Sequence, residues 1–261
     1  MTKPRNYQTE AIIIKKTKLG EADRILTLYT PHLGKIQGVA KGVRRPRSKL
    51  SGHLEVLTCS LVSLARGRNI DTVTGSQTIN SFLKLKEDLE LISHALYVTE
   101  LVNQFTADHI ENYPLFQLLL KTMEQLCLGG DNELVLRHFE LHMLGEVGYR
   151  PQLHQCVSCR VSLAATANSF CPSAGGILCP NCRQSQPPSD PISVNGLKVL
   201  RYLQEGGYSN TSRLKLNREL SRELEEVMRN YLRYLLEREV KSAAWLDSLR
   251  EQTEQGRTAL L

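Results

Sequence analysis

Two cysteine pairs constrain this chain more than any other feature. Cys156-Val157-Ser158-Cys159 and Cys179-Pro180-Asn181-Cys182 are separated by nineteen residues. Each pair can present two sulfurs to one ion, and a loop of about 15 to 20 residues lets the two pairs close a tetrahedron. The spacing predicts a four-thiolate zinc site with Cys156, Cys159, Cys179 and Cys182 as ligands. Four thiolates leave no open position for a reacting water, so the metal is expected to be structural and to support a segment with little core of its own. The alternatives are four unrelated buried cysteines or a redox pair. Cys171, eight residues before Cys179, reads as a spare thiol or as an alternate ligand. Cys59 and Cys127 fall on apolar patterns and read as core.

Compartment supports the metal reading. No apolar stretch approaches the ~18 residues of a membrane span, and the apolar residues 11–14 run directly into Lys15 and Lys16. Neither a span nor a secretory signal is expected. A cytoplasmic protein holds clustered cysteines for metal more often than for disulfides. With 261 residues, 41% apolar and 23% charged, the chain can build one large or two small cores, and a disordered acidic chain is ruled out.

The net charge of +6 hides a division. Residues 1–80 carry 14 Lys and Arg against 5 Asp and Glu, a net of +9, whereas residues 81–261 carry 19 against 22, a net of −3. Arg24, Lys35, Lys41, Arg44, Arg45, Arg47 and Lys49 follow one another with no carboxylate between Asp23 and Glu55. A charge run is commonly a solvated face. Here Gly34, Gly38 and Gly42 recur among the cations, which would let the backbone approach a bulky anion such as a phosphate chain. The nucleotide-binding loop pattern is missing, so ATP chemistry is not indicated.

Short runs rich in Ile, Val, Leu and Thr, bounded by turn residues, predict five strands at 9–15, 24–30, 35–41, 54–65 and 71–78. Five short strands suggest a small barrel of the OB type, which commonly presents a groove to nucleic acid. Residues 1–80 contain only Tyr7 and Tyr29 as aromatics, and Tyr29 sits among Ile25, Leu26 and Leu28 as a core residue would. Binding through such a surface is expected to address the backbone, with strong salt dependence.

After Phe82 the apolar period changes to three and four, predicting one amphipathic helix over residues 83–105. A second starts at Pro114 and stops at Gly129-Gly130; a third runs from Asn132 to about Gly148; a shorter one covers residues 196–203 and a long one residues 216–236. His138 and His142 lie four apart, but Phe139 occupies the position where HExxH carries its general base. They read as partly exposed helix surface. His154 could replace a missing metal ligand.

The segments LGEADRILTLYTPHLGKIQGVAKGVRRPRSK, GYRPQLHQCVSC and SAGGILCPNC, in this order and separated by a strand pair and a helical region, closely resemble the RecO family of bacterial recombination mediators. The resemblance implies an α+β multidomain chain: a five-stranded OB-type β-barrel over 1–80, then an α-helical domain over 81–261 carrying a four-cysteine zinc module at about 150–186. It implies a mediator of DNA repair and homologous recombination in the RecF pathway, without catalysis of bond chemistry. Such a protein binds single- and double-stranded DNA, anneals complements and helps RecA replace single-stranded-DNA-binding protein. The implied partners are RecR and the C-terminal tail of the single-stranded-DNA-binding protein, held in a groove of the helical domain where a cation meets apolar side chains; RecA is engaged indirectly. The implied location is the bacterial cytoplasm, at the nucleoid.

Two other classes compete. A zinc-containing RNA-binding or transcription accessory factor would use the same barrel on RNA, with contacts to the 2′-hydroxyl. A metal-dependent nuclease would need an acidic site. Glu87, Asp88 and Glu90 come nearest, yet they open a helix, where carboxylates are favoured by the dipole.

Overall fold

The computed structural model describes residues 4–184, 188–211, 213–246 and 248. Residues 185 and 186 of the expected zinc module, and 187, 212, 247 and 249–261 of the helical domain, lie outside them. Strands β1 (Asn6–Leu19), β2 (Asp23–Thr30), β3 (Gly34–Ala40), β4 (Cys59–Ala65) and β5 (Asp71–Asn80) close into a barrel in the order β1-β2-β3-β5-β4. Every neighbouring pair is antiparallel except β3–β5. Alternate residues fill the interior: Ala11 and Ile13 of β1, Leu26 and Leu28 of β2, Val62 and Leu64 of β4. Tyr29 is fully buried, its ring 6.5 Å from that of Phe116.

The fourth strand begins five residues later than the apolar run suggests. Residues 54–58 follow a short 3-10 turn, Ser51–His53, and lead into β4. Leu54 joins the core. Leu57 takes a left-handed φ of 62°, and its N–H donates to the Ile13 carbonyl (2.9 Å). Leu54 and Leu57 are buried on either side of exposed Glu55, and burial does not require an extended backbone. The glycine spacing also has a folding explanation. Gly34 has φ +63°, and a Cβ there would stand 2.0 Å from the Ile110 carbonyl oxygen; a Cβ on Gly38 would press on Leu64 and Val73 inside the barrel at 3.1 and 3.2 Å.

The helix expected over 83–105 is two helices, α1 (Leu83–Glu87) and α2 (Leu89–Phe105). Asp88 between them is extended, and its carboxylate accepts from the N–H groups of Glu90 (2.8 Å) and Leu91 (2.9 Å). That is N-cap chemistry, so the acidic cluster starts a helix. Helices α3 (Tyr113–Leu128) and α4 (Asn132–Glu146) follow, separated by Gly129 and Gly130 at positive φ. Strands β6 (Asn168–Cys171) and β7 (Gly176–Leu178), helix α5 (Pro180–Arg183) and strand β8 (Asp190–Ile192) make a small sheet-and-knuckle module, with sheet order β7-β6-β8. Helices α6 (Val194–Glu205), α7 (Tyr208–Thr211) and α8 (Arg218–Leu236) complete the described elements.

Contacts group the chain into two compact units. The first takes in residues up to 127, barrel and helices together, and the described chain from Trp245; the second spans residues 128–244. The first unit thus extends beyond the change of period near residue 80, because Ile12 and Ile14 bury a second face of β1 and α2 packs on that strand. Within the second unit His138 is 3% exposed, not helix surface. Its ring lies 4.1 Å from that of His142 and 4.0 Å from that of Tyr208, and His142 Nε2 bonds the carbonyls of Leu203 (3.0 Å) and Gly206 (3.1 Å).

Candidate nucleic-acid interface and metal centre

Two tight turns bring the four paired cysteines together. In the first, Cys156 N–H donates to the Val161 carbonyl and Arg160 N–H to the Cys156 carbonyl, both at 2.9 Å, with Arg160 at a left-handed φ of 60°. Val157 N–H ties this turn to Ile177 of β7 (2.9 Å). In the second, Cys179 immediately precedes α5, where Pro180 starts the helix. Cys182 N–H donates back to the Cys179 carbonyl (3.1 Å), and Cys179 N–H points at Cys156 Sγ (3.4 Å).

The ligand atoms of Cys156, Cys159, Cys179 and Cys182 all lie within 4.8 Å of one another. Cys159 Sγ and Cys179 Sγ are 3.8 Å apart. Metal–sulfur bonds of about 2.3 Å in a regular tetrahedron give sulfur–sulfur edges of about 3.8 Å. The spacing therefore fits one ion and is too long for a disulfide. The thiols are unevenly poised. Burial raises Cys156, but N–H donors of Cys159, Cys179 and Ser158 outweigh it and hold the thiol down to about 6. At Cys182, a hydrogen bond with Ser158 lowers the value, but those with Cys179 and Cys159 push it up to about 12. Four thiolates this close require a multivalent cation, and a divalent metal would supply that charge. Cys171 stands outside the cluster. It is buried on β6, packs with Cys156 and Leu178, and lies 3.3 Å from Ser173 Oγ. His154 is turned to Glu205 (3.0 Å).

The basic run is organised by its anchors. Gly42 N–H donates to Asp23 Oδ1 (2.7 Å) and Arg44 N–H to the Ala22 carbonyl (3.0 Å), fixing the loop after β3 against the β1–β2 turn. Turns from Arg45 to Gly42 and from Ser48 to Arg45 fold it back on itself. Lys41, Arg44, Arg45, Arg47 and Lys49 are exposed and Arg24 is half-buried. Among the described residues none of these six forms an ion pair.

Lys35 is different. Its side chain is 12% exposed; the ammonium donates to the carbonyls of Asn103 (2.8 Å) and Thr106 (2.6 Å) and lies 3.4 Å from Asp108. It ties β3 to the end of α2, so its donors are committed within the first unit. Sequence reasoning passed over other cations: Lys16 and Lys18 at the end of β1, and Arg66 and Arg68 in the β4–β5 turn. Pairing of Gly38 with Asp71 sets that turn beside the end of β3. Arg66 lies over the Tyr7 ring (4.7 Å), and the Tyr7 hydroxyl donates to Asp71 (2.5 Å). Burial, followed by the Asp71 hydrogen bond and charge, holds that phenol far above its ordinary value, so it stays neutral. The signal available was the Arg-Gly-Arg turn between two strand-like runs.

In the second unit a cleft of about 440 Å³ is lined by Pro172, Asp190, Asn230, Arg233 and Tyr234 among others. Arg233 already bonds Glu239 (3.0 Å) and Asn230 (2.7 Å), and Asp190 adds a negative wall. Among the described residues lining this cleft, none is the unpaired cation that an acidic tail would require.

Residues 1–82 match the family model for the recombination protein O N-terminal region, and residues 86–244 match that for its C-terminal region. A protein named DNA repair protein RecO from Dehalococcoides mccartyi strain CBDB1 is 53% identical over 250 residues, covering 96% of this chain and 98% of the relative. Relatives of the same name from Roseiflexus sp. strain RS-1 and Pelotomaculum thermopropionicum are 42% and 37% identical, over 95% and 92% of this chain and 87% and 93% of their own lengths. A five-stranded closed barrel bearing a basic loop, a helical region with a four-cysteine cluster, and matches along nearly the whole length lead to one conclusion: the chain belongs to the RecO family.

Proposed function

We propose that this protein is a mediator of DNA repair and homologous recombination. It binds single- and double-stranded DNA through the basic end of its barrel, and it brings complementary strands together by neutralising the phosphates that keep them apart. The carrying observation is the anchored loop of residues 41–49, whose five exposed cations form no ion pair among the described residues. The names of the relatives, DNA repair protein RecO, support DNA as the polymer. Its work is binding and displacement without bond chemistry. Arg24, Lys41, Arg44, Arg45, Arg47 and Lys49 form the proposed surface, extended by Lys18, Arg66 and Arg68. Lys35 is left to its structural contacts.

The ion proposed for Cys156, Cys159, Cys179 and Cys182 is zinc, the metal that a tetrahedral thiolate set most often holds. Its bound charge would fix the two turns and release the proton from the raised thiol of Cys182. RecR, the tail of the single-stranded-DNA-binding protein and, indirectly, RecA are the proposed partners, and the bacterial cytoplasm at the nucleoid the proposed location; no described helix is long and apolar enough to cross a membrane.

Fluorescence anisotropy with labelled single-stranded DNA, duplex DNA and RNA of one sequence tests the reading. Binding to both DNA forms, weakening steeply with salt, is expected. A marked preference for RNA would transfer the surface to an RNA-binding or transcription accessory role.

A further inference from the structure

One end of the barrel departs from the usual apolar lining. Along the first part of β1, odd-numbered residues face inward, and Ile13 pairs with Leu28, both in the core. The ladder then slips: the next pair is Lys15 with Thr27, leaving Ile14 as an extra residue. Faces alternate along a strand, so one extra residue exchanges them for everything beyond it. Lys16 consequently opposes Leu26, a core residue, and Lys18 opposes Arg24. Arg24 itself continues the inward row of β2 that carries Leu26 and Leu28. Cations thus occupy inward positions where a small barrel ordinarily carries packing side chains.

A cleft of about 220 Å³ opens there. Its apolar lining comes from Val43 and Leu54, both core residues, and Lys16, Arg24, Arg44, Ser51 and Glu55 supply the rest. The Lys16 side chain is 11% exposed and its ammonium is bonded to the carboxylate of Glu55, which is 53% exposed. Lys86, donating to Thr58 Oγ1 (2.6 Å), is close enough to feel both charges. Three cations line the cleft and a fourth stands near, against one carboxylate. A cation beside an apolar floor is costly unless paired. Glu55, the first carboxylate after Asp23 in the sequence, supplies that pairing. A phosphoryl group would serve better, since its oxygens can meet the forks of Arg24 and Arg44 together with the Lys16 ammonium.

We propose that this barrel mouth is a phosphate subsite, in which Glu55 holds Lys16 until a phosphoryl group of a bound strand takes its place. The proposal rests on the nucleic-acid reading above and adds to it a built site at the barrel mouth, where Lys16 and Arg24 of the strands meet Arg44 of the loop. The phosphoryl group could be an internal phosphodiester or the terminal phosphomonoester of a strand end.

The test is anisotropy on 3′-labelled oligothymidylate carrying either a 5′-hydroxyl or a 5′-phosphate, with the full chain and its Glu55→Gln, Arg24→Gln and doubly substituted forms, folding being verified by thermal melts. Freeing Lys16 adds one cation. Glu55→Gln should steepen the log–log salt dependence by about 0.7, which is about fivefold tighter binding at 0.1 M salt relative to a 1 M reference. Arg24→Gln should flatten it by a similar amount. In the double form the gain from Glu55→Gln should shrink, since both residues act on one anion. A gain confined to the 5′-phosphorylated strand assigns the site to strand ends; an equal gain on both assigns it to the internal backbone. If Glu55→Gln fails to fold, Lys16→Gln serves instead and should weaken binding. The proposal is overturned if Glu55→Gln, or its Lys16→Gln substitute, leaves affinity and slope unchanged on both strands while the parent still binds and loss of Arg45 and Arg47, which stand outside the cleft, still weakens it. A parent protein that binds neither strand would overturn the nucleic-acid reading itself.

Discussion

Replacing Arg44, Arg45 and Arg47 together with Ala removes three exposed cations that form no ion pair among the described residues; Arg44 has one donor on the Gly20 carbonyl (3.4 Å). If each neutralises one phosphate, the log–log salt slope should flatten by about 2.1 on single strands and about 2.7 on duplex, at about 0.7 and 0.9 per phosphate. Between about 50 and 200 mM salt, a change of roughly 0.6 logarithmic units, the variant should lose about 18-fold less affinity than the parent on single strands and about 40-fold less on duplex. Anisotropy titrations at five or six salt concentrations measure both slopes. Lys35→Gln is the matched control: it removes one positive charge from the same run, but one whose donors are bound to Asn103 and Thr106. It should lower the thermal midpoint and leave the slope unchanged. A triple variant with the parental slope, or a Lys35→Gln protein that flattens as the arginine variant does, would refute the division drawn between loop and anchor.

Three further outcomes follow from the packing. Cys156→Ser should lower bound metal below one ion per chain, measured by elemental analysis, and expose residues 151–184 to protease, because buried Cys156, Cys171 and Leu178 are the centre of a small core. Full metal stoichiometry in that variant would reject the four-ligand set. His138 is held down to about 3 by burial and then by the charge of His142, against an ordinary value near 6.5. The unfolded chain therefore binds the extra proton, and this residue's contribution to stability is present above about pH 6.5 and is lost as the pH falls toward 3. Denaturant melts at pH 7.5 and 5 should show His138→Leu to be less acid-sensitive than the parent, and an identical pH dependence would contradict the burial argument. Asp88→Ala should cost about 1 kcal/mol by leaving two N–H groups of α2 uncapped, readable as a lower unfolding midpoint.

What could be read from the sequence followed local rules. Two C-x2-C turns encode their own sulfur geometry, so the nineteen-residue spacing was enough to bring four thiols within 4.8 Å. The barrel was legible because strand runs and turn residues alternate over short distances. Long-range pairing was not. Lys35 reads like any other cation of its run, and only the approach of β3 to the end of α2 makes it a clamp. Gly34 and Gly38 look like a phosphate loop until Ile110, Leu64 and Val73 arrive beside them. Leu54 and Leu57 are apolar for burial in a loop, which a strand-like composition cannot distinguish from pairing. The bulge at Ile14 decides whether Lys15 or Lys16 faces inward, and it is fixed by register with β2, a property of two segments together. Asp88 marked a helix start in both readings, yet the break it makes was hidden because the apolar stripe runs across it.

The most direct measurement of the central claim is annealing of two complementary oligonucleotides, each precoated with the cognate single-stranded-DNA-binding protein, followed by fluorescence quenching without ATP. The metal-loaded protein should accelerate annealing, and the Arg44, Arg45 and Arg47 variant should lose most of that acceleration while remaining folded. No acceleration by the folded, metal-loaded parent would contradict the mediator function proposed for this chain.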